Sequence, residues 1–379
     1  MKKSFRPCLP SGFQASGIAA GIKKSGKLDV ALFYSEVPAR AAAVFTSNGI
    51  QAAPLKVCRK YLARNEYFQA LIANSGNANC FTGKGGLADA EQMSVLAARQ
   101  LGLKNEEVLV ASTGIIARKL PLAKIKYAIP KLVEGLSVQG ISQAKKAIMT
   151  TDIFAKEASL KFKVGAKTVT IYGVAKGAGM ISPKLATLLC FIFTDANING
   201  QAIKKALKAA ADNSFNCITV DGCMSTNDMV MLLANGLAGN SLIKRGKNFN
   251  LFTQNLTEVC LKLAQMVVRD AEGASKFITI KVQQAKNTDE AKGVALDIAN
   301  SNLFKTAMFA KSSNALGRLV AAAGASGIGL DEKKLKVSFS NLAKKEIEVK
   351  VALGRGEASA TVYTSDLTYE YVKINAEYN

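Results

Sequence analysis

Nine short apolar or alternating runs recur along this chain: DVALFY, QALIAN, EVLVAS, TVTIYG, LLCFIF, MVMLLA, FITIKV, LKVSFS and EIEVKV. Runs rich in β-branched and aromatic residues and bounded by turn formers are read as strands, and apolar residues spaced three and four apart as helices. The helical spacing is clearest over 87–101, 120–136, 200–211, 250–268, 288–298 and 314–323. VGAKTV is a hairpin signal and implies antiparallel pairing. Strands and helices mixed from end to end, with some strands antiparallel, predict an α+β fold of layered mixed and antiparallel sheets with flanking helices.

A length of 379 residues exceeds what one hydrophobic core usually serves, so two packed halves or two domains are expected, although no linker, low-complexity tract or repeat marks a boundary. No run approaches the length of a membrane span, and MKKSFRPCLPSGF has no apolar segment behind its basic residues. The expectation is a cytoplasmic protein without a membrane partner. The net charge is +22, of which +17 falls before residue 187. Its lysines come singly or in pairs such as Lys23-Lys24 and Lys145-Lys146, without interleaved aromatics. That pattern predicts a solvated basic surface and no nucleic-acid partner.

The chain contains no histidine. This removes Ser-His-Asp triads, Cys-His dyads and histidine metal sites in one step, and leaves a carboxylate, a lysine, a tyrosine or an amino terminus as the base of any catalysis. The cysteines, Cys8, Cys58, Cys80, Cys190, Cys217, Cys223 and Cys260, are odd in number and never form a Cys-x-x-Cys pair. They predict neither a disulfide framework nor a metal site, and suit a reducing compartment.

Polar, glycine-rich clusters follow several strand-like runs: NSGNANCFTG after QALIA, STG after EVLVA, and DGCMSTND after CITV; TTD follows the segment 141–149. One such cluster is an ordinary turn, but four make a shared site a reasonable expectation. A further stretch, GAGMISPKLATLLCFIFTD, has the G-x-G of a phosphate loop but lacks the third glycine, and it enters a strand where such a loop enters a helix. Without histidine, a threonine hydroxyl can still be activated by its own α-amine, whose ordinary pKa is about 7.7–8.0. For Thr187 this requires cutting the Ala186-Thr187 bond, with the hydroxyl attacking the preceding carbonyl and water releasing the new terminus.

KGAGMISPKLATLL resembles the processing signature of the ornithine acetyltransferase family, also called glutamate N-acetyltransferase or the arginine biosynthesis bifunctional protein, in which K-G-A-G-M-I-x-P-x-M-A-T ends on the nucleophile. GFQASGIAAGIKKSGKLDVALFYSEVPARAAAVFTSN, NSGNANCFTG, ASTGIIARKLP, TTD, DAEGASK and SDLTYEYVKINAEY are similar to further segments of that family in the same order. The resemblance implies an amino-terminal-nucleophile-type fold, with an alpha chain 1–186 and a beta chain 187–379 assembled as a heterotetramer. It implies acetyl transfer from N2-acetylornithine to glutamate, giving ornithine and N-acetylglutamate, with no bound cofactor or metal and with acetyl-CoA as a further substrate in some members.

Carried over residue by residue, the resemblance makes Thr187 the nucleophile, Ala186-Thr187 the autocleavage bond, and Thr113 with Gly114 the oxyanion hole. Thr151, Lys176, Thr187, Glu272 and Asn375 bind substrate. Three departures accompany it: Cys223 stands where the family usually has Asp, KSSNALGR at 311–318 replaces a D-P-N-W-G-R-like segment, and the chain stops at Asn379, where relatives continue to a terminal Ser or Thr. The competing readings are an amidase or aminopeptidase sharing the nucleophile, with water as acceptor, and a basic nucleic-acid-binding protein.

Overall fold

The computed structural model describes residues 9–183 and 188–377. In chain order its elements are β1 (Phe13–Ile18), β2 (Val30–Phe45), α1 (Ala53–Arg64), β3 (Tyr67–Asn77), α2 (Gly83–Leu101), β4 (Val108–Ile115), α3 (Leu122–Glu134), α4 (Ile141–Ala147), β5 (Lys156–Val164), β6 (Lys167–Lys176) and β7 (Leu189–Thr194). There follow α5 (Gly200–Asp212), β8 (Met229–Ala234), α6 (Lys247–Arg269), β9 (Phe277–Ala285), α7 (Thr288–Asn300), α8 (Asn302–Ala310), α9 (Ala315–Gly324), β10 (Lys336–Phe339), β11 (Glu346–Ala352), β12 (Ala358–Ser365) and α10 (Tyr369–Glu377). The fold class is α+β, and the elements form two compact units.

The first unit contains residues up to Gly177, 188–214 and Met224–Leu263. Its eight-stranded sheet runs β4-β3-β2-β8-β7-β6-β5, with β1 added to β2. β2 is the pivot. Its first part, Val30–Tyr34, pairs with β1 and β3, the register then shifts before Ala39, and Arg40–Phe45 pairs with β8. Pro38 lies in that irregular stretch, where its missing N–H breaks no ladder bond. The sheet folds over at this point, so its two halves face each other. Phe33 of β2 lies 5.4 Å from Phe191 and 5.3 Å from Phe193 of β7, and Phe13 of β1 lies 5.1 Å from Phe193.

Strand alternation carries this inner face across the sheet. Phe33 pairs with Leu71 and Leu71 with Leu109 in one half; Tyr172 pairs with Phe193 and Phe193 with Leu233 in the other. All are buried. The alternate residues of β6 and β7 face helix α6, whose Val259 and Leu263 lie over Gly173. Both faces of β7 are covered, which is why LLCFIF is apolar without a break.

The second unit contains 178–183, Phe215–Cys223 and 264–377 of the described residues. Its sheet runs β10-β11-β9-β12, with β11 and β9 parallel and the other pairs antiparallel. Ile278, Ile280 and Val282 of β9 and Ile347, Val349 and Val351 of β11 bury one face beneath Val294 and Ile298 of α7, Phe304 of α8 and Leu319 of α9. Lys281 pairs with Glu348 on the other face. A single covered face explains the alternation in FITIKV and EIEVKV.

All nine runs are strands, and the six helical segments are α2, α3, α5, α6, α7 and α9. β1, β5, β12, α1, α4, α8 and α10 are not among the runs and segments read from the sequence. Pro54 stands in the first turn of α1, where its missing N–H has no helical partner to lose.

Candidate active site

The folded-over sheet brings residues from distant strands to one end of the first unit. Thr113 lies near the end of β4, paired with Ser75 of β3. Lys176 ends β6, paired with Leu189 at the start of β7. Both side chains are buried, and the Lys176 Nζ reaches to 3.5 Å from the Thr113 Oγ1. A hydroxyl that accepts from an ammonium keeps its own proton to donate. The next residue, Gly114, stands at φ +134°, and a Cβ there would lie 2.4 Å from the Gly76 carbonyl carbon and 2.5 Å from the Asn77 nitrogen. No other residue fits this backbone.

Asp152 organises the positive charge around this end. Its Oδ1 accepts from the Lys156 Nζ at 2.6 Å and from the Gly177 N–H at 2.7 Å, and its Oδ2 from the Thr150 N–H at 2.9 Å. Burial alone would raise its pKa, but the Lys176 and Lys156 ammoniums and the donated bonds outweigh that and hold it at about 2. The Asp152 and Lys156 side chains are both fully buried. Lys23, whose stem packs beside Gly76, has its pKa brought down to about 8, chiefly by burial, with Asp29 and Asp152 opposing and Lys176 adding to the depression. Thr151 is half-buried beside Asp152.

The start of β7 is also held. Leu188, the first described residue after Thr187, donates its N–H to the Asp228 Oδ1 at 2.7 Å. Its neighbour Asn227 donates through Nδ2 to the Ala78 carbonyl at 2.6 Å and the Ser112 carbonyl at 2.8 Å, tying the same loop to the strand that carries Thr113. Both residues come from the DGCMSTND cluster.

In the second unit the other end of that cluster grips the stretch 178–183. Asp221 accepts from the Met180 N–H at 2.6 Å, the Ile181 N–H at 3.0 Å and the Tyr371 hydroxyl at 3.1 Å. Burial, then the Asp221 charge, pushes the Tyr371 pKa up. Glu272 donates its N–H to the Ala178 carbonyl at 3.0 Å and accepts at Oε2 from the Asn375 Nδ2 at 2.9 Å. A Cβ on Gly179 would lie 2.2 Å from that carboxylate, so glycine leaves room for the Glu272 side chain where it stands. Lys305, fully buried, donates to the Val220 carbonyl at 2.5 Å, the Ser365 carbonyl at 2.7 Å and the Thr364 hydroxyl at 3.1 Å. Burial lowers its pKa to about 8 against the pull of Asp221 and Asp366.

Of the residues singled out from the sequence, Thr113, Gly114, Thr151 and Lys176 thus lie in the first unit, and Glu272 and Asn375 meet in the second. Ala186 and Thr187 lie outside the described residues. Asp152, Lys156, Asp221, Asn227, Asp228 and Lys305 escaped the sequence reading as individuals, although four of them stand in the TTD and DGCMSTND clusters. Among the described residues no group of three or more Cys, Asp and Glu could hold a metal ion, and no helix is long and apolar enough to cross a membrane. Cys58, Cys80, Cys190, Cys217, Cys223 and Cys260 are free thiols.

The ArgJ family model matches residues 14–379. Arginine biosynthesis bifunctional protein ArgJ of Geobacter sulfurreducens is 43% identical over 389 residues, covering 97% of this chain and 98% of its own. The protein of the same name from Geobacillus kaustophilus is 43% identical over 390 residues, covering 97% and 95%. Among solved structures, ornithine acetyltransferase of Mycobacterium tuberculosis complexed with ornithine is 38% identical, covers 47% of this chain and 93% of its own, and superposes with a TM-score of 0.43.

Proposed function

The chain belongs to the ArgJ family, and from that premise we propose that it is an arginine-biosynthesis acetyltransferase that cuts itself between Ala186 and Thr187 and moves an acetyl group from N2-acetylornithine to glutamate through an acetyl-threonine. The observation that carries this reading is the corner of the first unit at which Lys176, paired with Leu189 at the start of β7, reaches the Thr113 hydroxyl beside the glycine-only backbone of Gly114.

In self-cleavage the Thr187 hydroxyl attacks the Ala186 carbonyl, an ester replaces the amide, and water releases the α-amine. The grips of Asp221 on Met180 and Ile181 and of Asp228 on Leu188 support this step, because they fix the chain on both sides of the bond. In transfer the α-amine takes the proton of the Thr187 hydroxyl as its oxygen attacks the acetyl carbon. Thr113 and the Gly114 N–H stabilise the developing oxyanion, and the proton passes to the ornithine amine as it leaves. Glutamate then attacks the acetyl-threonine. Lys176, its charge held in place by Asp152, pairs with the α-carboxylate that both substrates carry. Glu272, oriented by Asn375, answers a substrate ammonium, and Thr151 adds a hydroxyl contact. Two alpha and two beta chains form the working assembly in the cytoplasm.

The test is acetyl transfer from labelled N2-acetylornithine with and without glutamate. Labelled N-acetylglutamate is the expected product, whereas acetate release unaffected by glutamate would replace this reading with an amidase.

A further inference from the structure

The proposed transfer exchanges side chains of opposite charge at one nucleophile: N2-acetylornithine ends in an ammonium and glutamate in a carboxylate. With Lys176 on the α-carboxylate that both carry, the γ-carboxylate of glutamate still needs a cation. The first unit holds a second ammonium at the corner that carries Thr113 and Gly114.

Lys23 stands in the loop between β1 and β2, half-buried. Asp29 shapes that loop, its Oδ1 accepting from the Ala20 N–H at 2.6 Å and its Oδ2 from the N–H groups of Ile22 at 2.6 Å and Lys23 at 3.1 Å. The Asp29 carbonyl accepts from the Ser75 N–H at 2.8 Å, and Ser75 is paired with Thr113, so the loop is fastened beside the oxyanion strand. The Lys23 stem then passes over Gly76, where a Cβ would lie 3.1 Å from the Lys23 Cγ, and Gly76 is paired with Gly114.

The Lys23 Nζ donates to the Leu28 carbonyl at 2.7 Å, its one acceptor among the described residues. An ammonium has three protons, so two are left for a ligand. Lys176 and Asp152 both act on Lys23, and Asp152 is already paired with Lys156. Asp29, the other carboxylate acting on it, is taken by three backbone N–H groups, while Lys27 of the same loop adds positive charge and Lys124 of α3 donates to the Gly21 carbonyl. This excess of positive charge suits a dicarboxylate better than a substrate with one carboxylate and one ammonium. Burial above all, and Lys176, bring the Lys23 pKa down to about 8, so its proton is gained beside an anion and given up beside a cation.

We infer that Lys23 selects the acetyl acceptor, its ammonium receiving the γ-carboxylate of glutamate once ornithine has left. The inference rests on the acetyltransferase reading and adds to it the group that recognises the acceptor's side chain.

Acetyl transfer from N2-acetylornithine to glutamate and to glutamine, which differs in lacking the side-chain charge, tests this. The ratio of the two kcat/KM values cancels the titration of the Thr187 amine, which both transfers share. For the unsubstituted protein it should favour glutamate and fall as the pH rises through about 8, because kcat/KM reports the groups of the free enzyme. In Lys23→Met the preference should drop about tenfold or more and lose its pH dependence. Lys23→Arg, charged throughout, should keep the preference without the fall. Transfer with an unchanged preference in Lys23→Met, or a fall through pH 8 that persists in Lys23→Arg, overturns the assignment and leaves the acetyltransferase reading standing. Should Lys23→Met lose its fold, the Lys23→Arg profile decides alone. Calorimetric titration with glutamate separates the two further: binding about tenfold or more weaker in Lys23→Met, in a protein inactive on N2-acetylornithine, would keep Lys23 as the carboxylate site and sink the transferase reading, whereas neither transfer nor glutamate binding sinks both.

Discussion

Replacing Asp152 by Asn keeps the side chain's shape and removes its charge. The Lys156 ammonium, fully buried with Asp152 at 2.6 Å, then loses its carboxylate, and Lys176 loses a negative charge that interacts with it. Breaking a buried ion pair from one side costs about 3–5 kcal/mol, because a charge is left buried without compensation. A second estimate comes from the pKa. Asp152 titrates at about 2 in the fold against 3.8 for the unperturbed group, and such a difference is worth roughly 2–3 kcal/mol. Because the folded pKa is the lower one, that contribution is complete above about pH 4 and is lost as the pH falls through 2. Urea unfolding at pH 7 in a Thr187→Ala background, where one covalent chain unfolds, should therefore show a loss of about 3 kcal/mol or more for Asp152→Asn. Asp152→Asn/Lys156→Met should recover part of it. A loss below about 1 kcal/mol, or a double variant no better than the single, would refute the charge-trapping account.

Gly114→Ala must place a Cβ 2.4 Å from the Gly76 carbonyl carbon; the oxyanion backbone then shifts, and kcat for acetyl transfer should fall about 100-fold or more with little change in KM. Retained kcat would remove Gly114 from the oxyanion role. Lys305 titrates at about 8 in the fold and 10.5 outside it, so the unfolded chain binds more protons and stability should rise with pH between those values. Lys305→Met should lose that rise, and an unchanged slope would place the titration elsewhere. After cleavage, fragments 1–186 and 187–379 should co-elute in size-exclusion chromatography under native conditions, since β7 pairs with β6 and β8 with β2 across the cut; separate elution would contradict the pairing.

The fold was legible where burial imposes a pattern. LLCFIF lies between the inner aromatic face and α6, MVMLLA is likewise buried on both faces, and FITIKV alternates because one face is wet, so each run carried its environment in its letters. β1 and β12 did not, because FQASGI and ASATVYTS mix small polar residues with few large ones and depend on their partner strands. The fold-over at Pro38 was invisible for a different reason: it arises where β2 passes from β3 to β8, a strand far along the chain, and it is what brings Thr113 to Lys176. Thr113, Gly114, Lys176, Glu272 and Asn375 came from family resemblance. Asp152 and Asp228 were missed as individuals because a buried carboxylate reads in sequence like any turn residue until its partners are known.

The central claim is that Thr187 becomes an amino terminus and then carries the acetyl group. Intact mass of freshly purified protein, incubated with N2-acetylornithine in the absence of glutamate, tests it most directly. The account predicts two chains of residues 1–186 and 187–379, with the mass of one acetyl group added to the second and removed again by glutamate. A single uncut chain after prolonged incubation, or an acetyl group that Thr187→Ala still acquires, would contradict it.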